Sequence, residues 1–229
     1  MTTTDPSAPR EKKPLSDRRP DQYTWLYKPV RTYFKIFFAL FGGISAYGKE
    51  NVPETGGAII AANHASFSDP PVLATILKRP LRFFTKAELF DVPVFGAGCR
   101  LLGAFPVNRG SADRTAIRNA LGVLENGELL VIFPEGNRGD GVSFGQPEKG
   151  IGLIALKAGV PIVPAYIDGT AKQLPKGRSI PRRAHLTVRF GQPIDPAAYA
   201  GKGGHERLAP DIMAVIEKLR EEHRAATKR

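Results

Sequence analysis

The sequence contains four histidines, His64, His185, His205 and His223, and only His64 stands in a setting suited to proton transfer. It occurs in Asn63-His64-Ala65-Ser66-Phe67-Ser68-Asp69, directly after the apolar run Ala58–Ala62. Across a tight loop, the Asp69 carboxylate can reach Nδ1 of the imidazole, fix its tautomer and leave Nε2 as a general base. His223 falls in the basic end of the chain, His205 in a glycine-rich stretch and His185 after Arg182-Arg183, all settings for surface histidines. Taken alone, a His-x4-Asp pattern is short and common, and a loop histidine beside a helix-capping aspartate reads the same way. There is no nearby second His or Cys to complete a coordination sphere, so no metal is expected.

Three further stretches carry polar groups into loops after apolar runs. Phe133-Pro134-Glu135-Gly136-Asn137-Arg138 follows Leu129–Phe133 and places a guanidinium beside a glycine, a combination suited to close approach and phosphate pairing. Gly103-Ala104-Phe105-Pro106-Val107-Asn108-Arg109-Gly110 brings a second arginine just before a helix, and Ile162-Val163-Pro164-Ala165 is an apolar strand end.

The elements that must position these residues read as alternating strands and helices. Buried strands are expected at Ala58–Ala62, Leu81–Thr85, Leu129–Phe133, Val160–Ile167 and Leu186–Phe190, the fourth bent or partly unpaired by Pro161 and Pro164. Asp69-Pro70-Pro71 reads as a helix start with Asp69 as cap. Helix faces follow at Ile117/Ala120/Leu121/Leu124, Ile151/Ile154/Ala155/Ala158 and Leu208/Ile212/Val215/Ile216/Leu219. The expected fold is α/β, a largely parallel sheet flanked by helices. In such sheets ligands gather at the carboxyl ends of the strands, which is where His64 and Glu135 fall.

The division of the chain is equally uneven. Residues 1–22 are polar and charged and read as a disordered tail. Residues 23–48 concentrate aromatic side chains with Lys28, Arg31 and Lys35 interleaved and read as a membrane-associating helical segment. The uncharged run within it, Ile36–Gly48, is shorter than the roughly 17–25 residues a spanning helix needs. Residues 49–229 form the expected catalytic domain.

Taken in order, Asn63-His64-x4-Asp69, Phe105-Pro106-x2-Arg109-Gly110, Phe133-Pro134-Glu135-Gly136-x-Arg138 and Val163-Pro164-Ala165 resemble the four motifs of the glycerolipid acyltransferase family, whose best-known members are the 1-acyl-sn-glycerol-3-phosphate acyltransferases. Lys86-Ala87-Glu88-Leu89 with Pro93 and Gly96, and Val188–Ile194, are similar to two further stretches of that family. The resemblance implies that His64 is the base and Asp69 its orienter, and that the acceptor hydroxyl attacks the acyl thioester directly. A covalent acyl-serine at Ser66 or Ser68 is the rival route, not needed because the acceptor brings its own hydroxyl. The resemblance also implies that Arg109 and Arg138 grip the acceptor phosphate, with Lys86 as helper. Gly136 gives backbone access, and Glu135, itself anionic, anchors an arginine or an acceptor hydroxyl. Asn137 stands where the family usually has Thr; it keeps a hydrogen-bonding side chain, so the exchange bears on acceptor preference rather than on activity. Acyl-CoA or acyl carrier protein is implied as co-substrate, a lysophospholipid or glycerol 3-phosphate as acceptor, and no cofactor; Mg²⁺ is not required.

Charge agrees with anionic partners. Lys and Arg number 33 against 22 Asp and Glu, a net charge of +11, which fits a phosphorylated acceptor, an acidic donor carrier and an anionic membrane surface. Nucleic acid is not expected, because the aromatic residues cluster in 23–48 rather than along a basic groove. A non-catalytic binder of acidic membrane would have no use for the His64–Asp69 pair. The expected location is the cytoplasmic face of a membrane, peripheral or monotopic.

Overall fold

Ala58–Ala62 is a strand buried at every position. Such a run needs neighbours on both edges and cover on both faces, because no polar side chain turns either face to water. The computed structural model, which describes residues 24–101, 103–107 and 114–227, supplies both. In chain order the elements are α1 (Thr24–Leu40), β1 (Ile44–Tyr47), β2 (Ala58–Ala62), α2 (Asp69–Ile76), β3 (Leu81–Lys86), α3 (Pro93–Leu101), β4 (Ala104–Val107), α4 (Arg114–Glu125), β5 (Leu129–Ile132), α5 (Gly150–Ala158), β6 (Ile162–Asp168), α6 (Thr170–Gln173), β7 (Leu186–Phe190) and α7 (Gly204–Thr227). The strands form a seven-stranded sheet in the order β1-β7-β6-β2-β5-β3-β4. Every neighbouring pair is parallel except β6 and β7.

Side chains of β2 alternate between two apolar layers. Ala58, Ile60 and Ala62 face Tyr27 and Phe38 of α1, Val72 and Leu73 of α2 and Cys99 of α3. Ile59 and Ala61 face Ala120 and Leu124 of α4, Ile151 and Ala155 of α5, and Leu208, Ile212 and Ile216 of α7. The sheet is thus sandwiched between helices, the α/β architecture that the alternating pattern leads one to expect.

The structure bears out one local reading and corrects two. β6 is laddered to β2 over Ile162–Ala165 and to β7 over Ala165–Asp168, so each edge is only partly paired, with Pro164 in register with Ala61. The proline is tolerated because its carbonyl, which accepts from Gly191 N, faces β7, whose ladder begins only at Ala165; the missing N–H falls at that ladder's end. Asp69 is the first residue of α2 rather than its cap; Ser68 holds the cap position, without a side-chain capping bond. Residues 104–107, read as loop, are strand β4, paired with β3 from Phe83↔Ala104 to Lys86↔Val107.

The aromatic segment is helical over Thr24–Leu40, and its end, Ile44–Tyr47, is a strand of the sheet. α1 carries two apolar stripes. Tyr27 and Phe38 are buried in the core, and Tyr27 Oη lies 3.1 Å from the carbonyl oxygens of both Ala74 and Arg79. Tyr33, Ile36 and Leu40 line the outer side at 64%, 58% and 65% exposure. Residues 1–22 lie outside the described residues. No helix among the described residues is long and apolar enough to cross a membrane.

Candidate active site

His64 follows β2 by two residues, so it has left the strand ladder and its backbone must be held by other groups. Asn63 performs the handover. Its Oδ1 accepts from Ile167 N at 2.7 Å and its Nδ2 donates to Ile167 O at 3.0 Å, so a side-chain amide continues the contact with β6 where the β2 backbone turns away. His64 N then donates to Glu135 Oε1 at 3.1 Å, and His64 O accepts from Gly139 N at 2.8 Å.

The His64 ring lies against Phe133, with centroids 4.0 Å apart and planes 18° from parallel. Its Nδ1 is 2.8 Å from Asp69 Oδ2. Asp69 is completely buried, while the His64 side chain keeps 14% exposure. The same Oδ2 also accepts from Ala65 N and Ser66 N, each at 2.8 Å. Three donors on one carboxylate oxygen fix its orientation and aim it at the ring. Asp69 Oδ1 is buried without a hydrogen-bond partner among the described residues. With Nδ1–H donating to Asp69, Nε2 carries the lone pair, the arrangement of a general base. The aspartate is placed to act through the imidazole.

Ser66 is not placed as a nucleophile. It is fully buried, its Oγ donates to Leu174 O at 2.8 Å, and it accepts from Ser68 N at 3.1 Å. Cys99 is likewise buried, and burial pushes its thiol pKa up, so it serves as an apolar core residue.

Glu135 holds two backbone groups: Oε1 accepts from His64 N, and Oε2 accepts from Gly145 N at 2.8 Å. The carboxylate is buried and works as a brace between the catalytic loop and the long connection that follows β5. Gly136 adopts φ 65°, a left-handed conformation that favours glycine, and a Cβ there would meet Glu148 Cγ at 2.9 Å. Arg138 lays its guanidinium over the Phe67 ring, 3.6 Å from the centroid, which brings it against the loop that joins His64 to Asp69. Asn137 is exposed beside it. A cavity of about 620 Å³ opens here, lined by Ala65, Glu135, Asn137, Arg138 and Lys176 among others. Lys86 is exposed at the end of β3, at the same sheet edge but separated from β2 by β5. Arg109 lies outside the described residues. A larger cleft, about 1250 Å³, runs along α1 between Arg31, Phe38, Ile44 and Leu77, and neither His64 nor Asp69 lines it.

Sequence reasoning did not single out Asn63 or Gly145 for these roles. Asn63 was visible as the residue before His64, but its partner Ile167 is 104 positions away. Lys176 carried no motif signal at all.

A histidine held by a buried aspartate, at the carboxyl end of a central parallel strand and next to an arginine-bearing loop, is an arrangement suited to base-assisted group transfer by an α/β enzyme. Comparison with known proteins narrows this class. The acyltransferase family profile matches residues 43–168. A 1-acyl-sn-glycerol-3-phosphate acyltransferase of Bacillus subtilis is 30% identical over 198 residues, covering 86% of this chain and 96% of that protein. One from Streptococcus pneumoniae is 29% identical over 192 residues, covering 82% and 70%. The crystal structure of the 1-acyl-sn-glycerophosphate acyltransferase of Thermotoga maritima superposes with a TM-score of 0.75 at 30% identity, covering 87% of this chain and 80% of that one. The chain belongs to the acyltransferase family, and it is an enzyme of the kind these relatives represent.

Proposed function

We propose that this enzyme transfers a fatty acyl group from a thioester donor to the free hydroxyl of 1-acyl-glycerol 3-phosphate, giving phosphatidic acid. The observation that carries the reading is the 2.8 Å contact of His64 Nδ1 with Asp69 Oδ2, in a site whose imidazole still reaches solvent. His64 Nε2 takes the hydroxyl proton as the acceptor oxygen bonds to the thioester carbonyl carbon. Collapse of the tetrahedral intermediate breaks the C–S bond, and the imidazolium returns the proton to the leaving thiolate. Asp69 stabilises the imidazolium in between. Arg138, with Arg109 and Lys86, is assigned to bind the acceptor phosphate, and Asn137 borders the cavity beside Arg138. The donor is acyl-CoA or acyl carrier protein; both present the same thioester, and the residues around His64 support either. No metal or cofactor takes part.

The outer stripe of α1, with Tyr33, Ile36 and Leu40 exposed beside Lys28 and Lys35, supports seating on an anionic membrane surface, peripheral or monotopic on the cytoplasmic face.

The test is thiol release from palmitoyl-CoA and, separately, from palmitoyl-acyl carrier protein, with 1-oleoyl-glycerol 3-phosphate, glycerol 3-phosphate or a lysophospholipid lacking a free phosphate monoester as acceptor. Turnover is expected to be highest with the first acceptor, and His64→Ala is expected to lower kcat by about 10²–10⁴. Near-normal turnover by His64→Ala would sink the catalytic assignment; equal turnover with all acceptors would sink the substrate.

A further inference from the structure

We infer that Arg220, on the C-terminal helix α7, is a positioning residue for the catalytic base, acting through the connection 133–149 and Glu135. The inference rests on His64 being that base. The family profile ends at residue 168, so the device comes from a part of the chain beyond the family's shared motifs.

His64 depends on this connection for both of its peptide bonding groups: its N–H is held by Glu135 Oε1 and its C=O by Gly139 N. Glu135 is in turn fixed by Gly145 N, 2.8 Å from Oε2. Gly139 and Gly145 approach this carboxylate so closely that a Cβ on either would lie 3.4 Å from Oε2. The position of residues 139–145 therefore sets the position of His64. A connection of this length without regular structure needs outside support to hold one conformation. Residues 140–143 are exposed, and their local order comes from Asp140 Oδ1, which accepts from Val142 N at 2.7 Å and Ser143 N at 2.9 Å. That turn shapes the segment but does not attach it to the rest of the molecule.

Arg220 attaches it. Its Nη1 donates to Val142 O at 2.7 Å, and its guanidinium carbon sits 4.4 Å from the centroid of Phe144. The side chain is 13% exposed, and Nε donates to Glu217 Oε1 at 3.0 Å, so the fork is oriented by its own helix before it grips the loop. Phe144 meets Tyr166 of β6, with ring centroids 6.3 Å apart, which completes the seat. The path from Arg220 through Val142, Gly145 and Glu135 to His64 N is a continuous run of hydrogen bonds and short backbone. Arg220 does not line the cavity beside Glu135, so its loss is expected to act on kcat more than on KM.

The test is a double-mutant cycle on the full chain: wild type, Arg220→Met, Glu135→Gln and the double variant, each assayed for kcat and KM with palmitoyl-CoA and 1-oleoyl-glycerol 3-phosphate. Methionine keeps an apolar stem near Phe144 and removes the donors. Thermal melting shows which proteins are folded at the assay temperature. A small displacement of a catalytic group costs up to about 10²-fold, and Arg220→Met is expected to lower kcat about tenfold with KM within about threefold. In the Glu135→Gln background the same substitution is expected to cost less than about twofold, because the two act in series. A folded Arg220→Met protein with wild-type kcat overturns the inference, and so does a loss that multiplies in full in the double variant. Should Arg220→Met not fold, Arg220→Lys carries the cycle: one donor can still reach Val142 O, so about a threefold loss of kcat is expected, again absent in the Glu135→Gln background. Wild-type kcat in that variant overturns the inference. An active His64→Ala protein would instead overturn the assignment of the base, a different failure from either of these.

Discussion

Replacing Asp69 by asparagine separates the charge of the carboxylate from its geometry. Three donors converge on Oδ2, from His64 Nδ1, Ala65 N and Ser66 N, all at 2.8 Å. An amide nitrogen in that position would face three donors, so the amide oxygen must take it and the NH₂ must take the place of Oδ1. The imidazole then keeps its Nδ1–H bond and its tautomer, and only the negative charge is lost. Two unit charges about 4 Å apart interact by about 4 kcal/mol at an effective dielectric constant near 20. The neutral hydrogen bond that replaces the ion pair returns about 1 kcal/mol. The net loss of about 3 kcal/mol corresponds to a fall in kcat of about 10²-fold. The NH₂ enters a buried position with no partner among the described residues, which costs the fold about 1–3 kcal/mol. Thiol release at saturating substrate measures the first quantity and urea denaturation the second. A kcat within about threefold of wild type would refute the claim that Asp69 stabilises the imidazolium. A fall of 10⁴ or more would show that Ala65 and Ser66 do not hold the amide in this orientation.

Two other perturbations probe the supports of the site. Burial raises the Tyr27 pKa to about 12 from an ordinary value of 10.0, against a smaller opposing pull from Arg31. Because the folded value is the higher one, this stability is complete below pH 10 and is lost as pH rises towards 12; a Tyr27→Phe protein should show a shallower fall in stability across that window, read from urea midpoints at successive pH values. Asn63→Ala leaves both polar groups of Ile167 without their side-chain partner, and should cost about 1–3 kcal/mol in urea denaturation and lower kcat by loosening the exit of β2; an unchanged midpoint and an unchanged kcat together would remove Asn63 from the account.

What could be read from the sequence followed from local pattern. Ala58–Ala62 and Leu186–Phe190 are strands over the residues expected, because unbroken apolar runs bounded by turn residues have few other uses. His64 and Asp69 were identifiable because both lie within one loop and its following helix, where spacing alone fixes reach. Strands β1 and β4 were not, since each has four residues and takes its identity from a distant partner; Ile44 meets Leu186 and Ala104 meets Phe83. The backbone contacts of Glu135 were out of reach for a related reason. Its residue type suggests a charged ligand, whereas its partners are backbone N–H groups of His64 and Gly145 that no side-chain motif records. The aromatic composition of α1 did not show that the helix carries two stripes, an inner one in the core and an outer one exposed.

The pairing of β1 with β7 also governs when the protein can finish folding. β1 occupies residues 44–47 and its neighbour in the sheet occupies 186–190, so more than half of the chain is synthesised between them. At about 5–20 residues per second a ribosome takes roughly 7–30 seconds to cover that interval. Throughout it the turn joining α1 to β1 has nothing to close on, and β6, made near its end, has no strand on its outer edge until β7 follows. The inner stripe of α1 can already dock on α2, whose carbonyl partner for Tyr27, Ala74, emerges early. The earliest and one of the latest strands to be translated are therefore joined last. A chain truncated before residue 190 would lose more than a peripheral strand, because the segment leading out of α1 would be stranded with it.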